Sequence, residues 1–139
     1  MRYLVATDGS TEGDAAVRYA AKQAAIAEAT LEIVHVLVAE PELVGGEMVF
    51  DGTDDTMDRG RQILERSASL ATGVAGELQI ETELLTGRPA ASIAERSEQS
   101  DADAIYVGHR GLSEEREQVV GSVAKSVVDK ATVPVTVVK

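Results

Sequence analysis

Strand-like and helical segments alternate five times along the 139 residues, which predicts an α/β fold. The expected architecture is one doubly wound, five-stranded parallel sheet, order 3-2-1-4-5, with helices on both faces. Two observations set that order. The first and fourth strand segments, YLVAT (3–7) and AIYV (104–107), are apolar on both faces, as interior parallel strands are. The other two placed segments mark the edges. LQIETELL (78–85) alternates, with Gln79, Glu81 and Glu83 on one side, and VPVTVV (133–138) contains Pro134, which cannot donate to a central ladder.

Each element has its own signal. The second strand is LEIVHVLV (31–38), a continuous apolar run. Ala16, Tyr19, Ala20, Gln23, Ala24 and Ala27 recur at helical spacing and predict the first helix, with Ser10 or Thr11 as its N-cap. Further helical patterns cover 55–74, 90–99 and 123–131. Asp54, Asp55 and Asp58 suit a helix N-terminus and lack the spacing of a calcium loop. Residues 39–53 show no clear periodicity and read as a long connection, either a lid or contact loop or a plain acidic loop.

The length fits one domain spanning 1–139. There is no cysteine, so disulfides and thiolate metal sites are excluded. No apolar run approaches a membrane span or a secretory leader, and the expected location is the cytoplasm. With 24 acidic and 13 basic residues the net charge is −11, which opposes binding to nucleic acid or to an anionic membrane. An anionic ligand would have to be held locally, by backbone N–H groups or an arginine.

The strand order places a topological switch point between the first and fourth strands. Ligands of open α/β sheets bind there, outside the carboxyl ends of the strands. Asp8 ends the first strand and Gly108 the fourth. The segment beyond runs Gly108-x2-Gly111-x9-Gly121-Ser122. Residues without a Cβ let a ligand approach the backbone, loop amides form anion nests, and a helix beginning at Ser122 brings its positive end. Spacing alone leaves open an anion site or a turn before a capped helix.

The pattern G-x2-G-x9-G-[S/T], with VATDGS, VHV, TGRP (86–89) and VPVTVV in that order, resembles the universal stress protein family, ATP-binding type. The likeness covers nearly the whole chain. It implies a stress-response regulatory protein that binds ATP, or AMP or ADP, with Mg²⁺ or Mn²⁺. By the same likeness Thr7 and Asp8 lie beside the nucleotide, and Asp8 holds the divalent cation or the ribose. Val36 supplies backbone contacts to adenine, and Val107 and Gly108 line the ribose. Gly111, Gly121, Ser122 and Val123 cradle the phosphates, with His109 and Arg110 in the motif loop. A homodimer through the C-terminal strand is also implied. This chain departs from the pattern in carrying Ala124 where a Thr is common. Glu114, Glu115 and Glu117 also lie in the spacer, which predicts a preference for AMP or weak ATP binding without Mg²⁺.

Alternatives stay open at this point: a slow ATP hydrolase or phosphotransferase, or an interaction module with a vestigial pocket. Asp8 as a simple helix cap, and His35 as a hydrogen-bonded core histidine, are the structural readings of those residues. Other nucleotide motifs are absent, including G-x4-G-K-[S/T] and G-x-G-x-x-G.

Overall fold

Among the described residues the elements run in the order β1 (Arg2–Ala6), α1 (Thr11–Ala27), β2 (Thr30–Val38), β3 (Pro41–Val44), β4 (Glu47–Phe50), α2 (Asp54–Val74), β5 (Ile80–Gly87), α3 (Pro89–Gln99), β6 (Ala104–Gly108), α4 (Ser122–Lys130) and β7 (Val135–Val138). This computed structural model describes residues 1–38, 41–44, 47–50, 54–109 and 121–139. Five strands form one parallel sheet in the order β5-β2-β1-β6-β7. That is the expected 3-2-1-4-5 once the strands are renumbered. The renumbering arises from β3 and β4, which pair antiparallel within the stretch 39–53 that read as a long connection without strands of its own. No alternation announced them, because strands of four residues carry only two positions per face.

The sheet separates two cores. On one face α1 and α2 cover Val5, Leu31, Ile33 and Tyr106. On the other, α3 and α4 cover Leu4, Val34, Ile105 and Val107. Leu4, Leu31, Ile33 and Ile105 are all fully buried, each worth about 2 kcal/mol of transfer free energy. The buried stripe of α1 is Ala16, Val17, Ala20, Ala21 and Ala24. It is turned toward Val17 and Ala21 relative to the expected one. Tyr19 is displaced to the rim at 42% exposure, where its ring lies 6.0 Å from that of Tyr106. Tyr3 approaches Tyr106 from the other side at 5.6 Å. Burial, with smaller contributions from Tyr3 and Tyr19, pushes the Tyr106 phenol above its ordinary value.

Caps follow the sequence. Ser10 accepts from the amide of Gly13 at 3.1 Å at the start of α1. Pro89 opens α3, where its missing N–H is no loss. Gly87, just before it, has φ +140°, a conformation that side chains disfavour. His35 is a buried, hydrogen-bonded histidine, as expected.

At the amino end of the sheet, Glu32 is only 1% exposed and carries a charge network. Its carboxylate accepts from Arg2 at 2.7 Å and from Arg96 at 2.8 and 3.2 Å. Arg2 continues to Glu81, and Arg96 lies 4.0 Å from Glu83. The network therefore joins β1, β2, β5 and α3. Burial alone would raise the Glu32 carboxyl, but hydrogen bonds and charge from Arg96 and Arg2 outweigh it and hold it below its ordinary value. A group depressed in the folded state contributes stability above its unfolded pKa and loses it as pH falls through the folded one. Glu32→Gln is expected to cost about 1–3 kcal/mol near neutral pH. Urea titrations of the two proteins should show that gap narrowing below about pH 4. A gap independent of pH would mean that the carboxylate charge is not what the network uses.

Candidate functional site

The carboxyl ends of β1 and β6 stand side by side. Val5 pairs with Tyr106, and continuing that register sets Thr7 beside Gly108. From there the chain diverges: α1 leaves toward one face of the sheet, and the segment after Gly108 leads to α4 on the other. This is the switch-point crevice that the strand order requires.

The first wall is the turn 7–10. Thr7 is held at three atoms. Its amide donates to Val34 O at 3.0 Å, and its carbonyl accepts from His35 Nδ1 at 2.8 Å, so that nitrogen carries the proton. Its hydroxyl oxygen accepts from the amide of Gly9 at 3.1 Å. Asp8 Oδ1 accepts from the amide of Ser10 at 2.9 Å, an Asx turn that aims the carboxylate along the strand end. Gly9 has φ +81°, which the turn requires. Asp8 is therefore not the helix cap: Ser10 caps α1, and Asp8 braces the turn ahead of it.

The second wall is the start of α4. His109 N donates to Val138 O at 2.9 Å, and Gly121 N donates to His109 O at 2.5 Å. Gly121 is thus set at the end of β6, bonded to the residue that follows Gly108. Gly121 is the N-cap of α4 and supplies no side-chain cap bond, in contrast to Ser10 on α1. Ser122 and Val123 open α4 and are exposed.

The structure thus brings together Thr7, Asp8, Val107, Gly108, His109, Gly121, Ser122 and Val123. Val36 lies beyond Val34 near the end of β2, half-buried on the α3–α4 side of the sheet with Ala6 and Leu85. Arg110, Gly111 and the glutamates 114, 115 and 117 lie outside the described residues. Ala124 is 2% exposed and packs in the core beneath α4.

Packing also assigns Gly108 a task that spacing did not suggest. A Cβ there would stand 2.9 Å from the carbonyl oxygen of Glu12. Gly108 is bare so that the first turn of α1 can seat against β6. Sequence reasoning missed Gly13, whose Cβ would collide with Thr7 Oγ1 and stand 3.0 Å from Asp8 Oδ1. The signal was present: glycine in a first helical turn weakens the helix and implies a close neighbour. It also missed Arg66, which bonds Asp14 and reaches the carbonyl of Gly9 at 3.4 Å.

Among the described residues, no group of three or more His, Asp or Glu side chains is placed to hold a metal ion, and no helix is long and apolar enough to cross a membrane.

The family model described as "Universal stress protein family" matches residues 1–139. A universal stress protein of Mycobacterium tuberculosis is 31% identical over 140 residues, 97% of this chain and 46% of the relative. The chain thus spans about half the length of that relative. Solved structures share the fold throughout. The universal stress protein from Archaeoglobus fulgidus in complex with dAMP superposes with a TM-score of 0.79 at 27% identity, covering 100% of this chain and 98% of that one. A universal stress protein in complex with cAMP does so with a TM-score of 0.76 at 25% identity, covering 100% and 96%. With a family match over its full length, the chain belongs to the universal stress protein family.

Proposed function

We propose that this chain binds an adenine nucleotide, ATP or its AMP and ADP relatives, in the switch-point crevice, and serves as a nucleotide-responsive regulator in a stress response. The observation that carries this reading is the bond from Gly121 N to His109 O, which sets the N-terminus of α4, begun by a glycine that has no side chain to cap it, at the end of β6. First-turn amides and the helix dipole favour an anion there. The relatives with bound dAMP and cAMP support an adenylate as that anion.

In this reading Thr7 and Asp8 flank the ribose and phosphates, Val36 meets adenine through its backbone, and Val107 and Gly108 line the ribose. His109, Arg110, Gly111, Gly121, Ser122 and Val123 surround the phosphates. Mg²⁺ or Mn²⁺ would arrive with the nucleotide. Asp8 offers one carboxylate, which fits a cation whose other ligands are phosphate oxygens and water.

Two tests follow from the geometry. Gly121 has φ −61° and ψ 155°, a backbone that any residue adopts. Gly121→Val should therefore keep the fold while its side chain fills the phosphate position. Calorimetry with ATP is expected to show at least about a tenfold loss of affinity, or 1.4 kcal/mol. Unchanged affinity would remove Gly121 from the site. Asp8→Asn should weaken ATP binding in Mg²⁺ much more than in EDTA; equal losses in the two buffers would detach Asp8 from the cation.

The same reading includes a homodimer through β7. The two sheet edges differ in a way that supports it. The β5 edge presents exposed Glu81 and Glu83, which guard it, whereas β7 is Val135, Thr136, Val137 and Val138, with no charge. Light scattering at micromolar concentration should report a dimer mass, and a monomer would overturn this part.

A further inference from the structure

The turn that carries Asp8 is braced from outside the motif. Ile63 and Arg66 stand three residues apart on α2 and so share one face of that helix. A Cβ on Gly9 would lie 3.2 Å from Ile63 Cγ1, so Ile63 already touches the turn. One turn further along α2, the guanidinium of Arg66 spans two oxygens of the β1–α1 connection, the carbonyl of Gly9 and the Asp14 carboxylate. Asp14 belongs to the first turns of α1, and its side chain is 11% exposed against 55% for Arg66. One Asp14 oxygen, Oδ1, is buried with no hydrogen-bond partner among the described residues. A carboxylate so placed depends on Arg66 for its compensation.

From this geometry we infer that Arg66 is a positioning residue for the nucleotide site, holding the Asp8–Gly9 turn against α1 and cancelling the Asp14 charge beneath it. The inference rests on the nucleotide reading of the crevice. Without Arg66, two oxygens would face each other unscreened, and a buried negative charge would lie six residues from Asp8, behind the turn that flanks the crevice. The penalty should grow with the charge of the ligand, whereas a purely mechanical brace would weaken all ligands alike.

The experiment is calorimetry with ATP and with adenosine as probes, on proteins whose fold is checked by circular dichroism. Arg66→Met is expected to weaken ATP binding about three- to tenfold and adenosine binding less. Adding Asp14→Asn to Arg66→Met should recover most of the ATP affinity, since the two residues act as one pair. Arg66→Lys, which keeps the charge, should stay near wild type. If Arg66→Met does not fold, Arg66→Gln with and without Asp14→Asn makes the same comparison, with the same direction expected. Equal ATP affinity in wild type and the Met or Gln variant, equal losses for both probes, or no recovery in the double variant would overturn the inference while leaving the nucleotide reading intact. A wild-type protein that binds neither probe would overturn that reading and this inference together.

Discussion

The position of the crevice depends on a contact that admits no side chains. The first turn of α1 is pressed against the ends of β1 and β6, with Gly13 over Thr7 and Asp8, and Gly108 under the carbonyl of Glu12. Any Cβ at either glycine would push α1 outward. Because α1 carries the Ser10 cap and the Asp8 turn with it, that shift would open the wall of the crevice. At Gly108 the contact is with backbone, where no rotamer can absorb the strain, and at Gly13 it is with the Thr7 hydroxyl and the Asp8 carboxylate, both of which accept hydrogen bonds within the turn. The two bare positions therefore set where an entire helix begins.

The ends of the sheet have separate tasks. The amino end is closed by Glu32 and its arginines, a network that ties four elements and is nearly sealed from water at its centre. At the carboxyl end, backbone hydrogen bonds tie the segments together: Thr7 to Val34, His109 to Val138, Gly121 to His109. Backbone bonds hold the loop ends without using side chains, and side chains such as Asp8 are left to shape the opening. A central β1, paired on both sides and buried on both faces, links the two ends.

Much of this was legible in the sequence because it follows from patterns a few residues long. Apolar runs identified β1 and β6 as interior strands, the charged alternation identified β5 as an edge, and Pro134 placed the last strand opposite. Strand order then fixed the crevice and brought Asp8 to Gly108 across a hundred residues. What escaped was of two kinds. The β3–β4 hairpin is too short for its periodicity to stand out from chance. Contacts between α2 and the β1–α1 turn depend on how far one helix extends past another, which residue types alone do not encode. Arg66 looks in sequence like any surface arginine, and only the packing of Ile63 on Gly9 reveals which turn it faces.

The glycines around the crevice are easily read as one signal, yet here the reasons differ from position to position. Gly9 is required by its backbone, at φ +81°. Gly108 is required by a neighbouring carbonyl and would be glycine whether or not a ligand existed. Gly121 answers to neither constraint that its own dihedrals could impose, since φ −61° suits every residue. Gly108 and Gly121 carry the same letter in the G-x2-G-x9-G spacing, so a match to the motif overstates how many of its members answer to the ligand. The weight of a nucleotide reading falls on Gly121 and the helix it begins. Its amide is already committed to His109, so the donors on offer belong to the turn of α4 that follows.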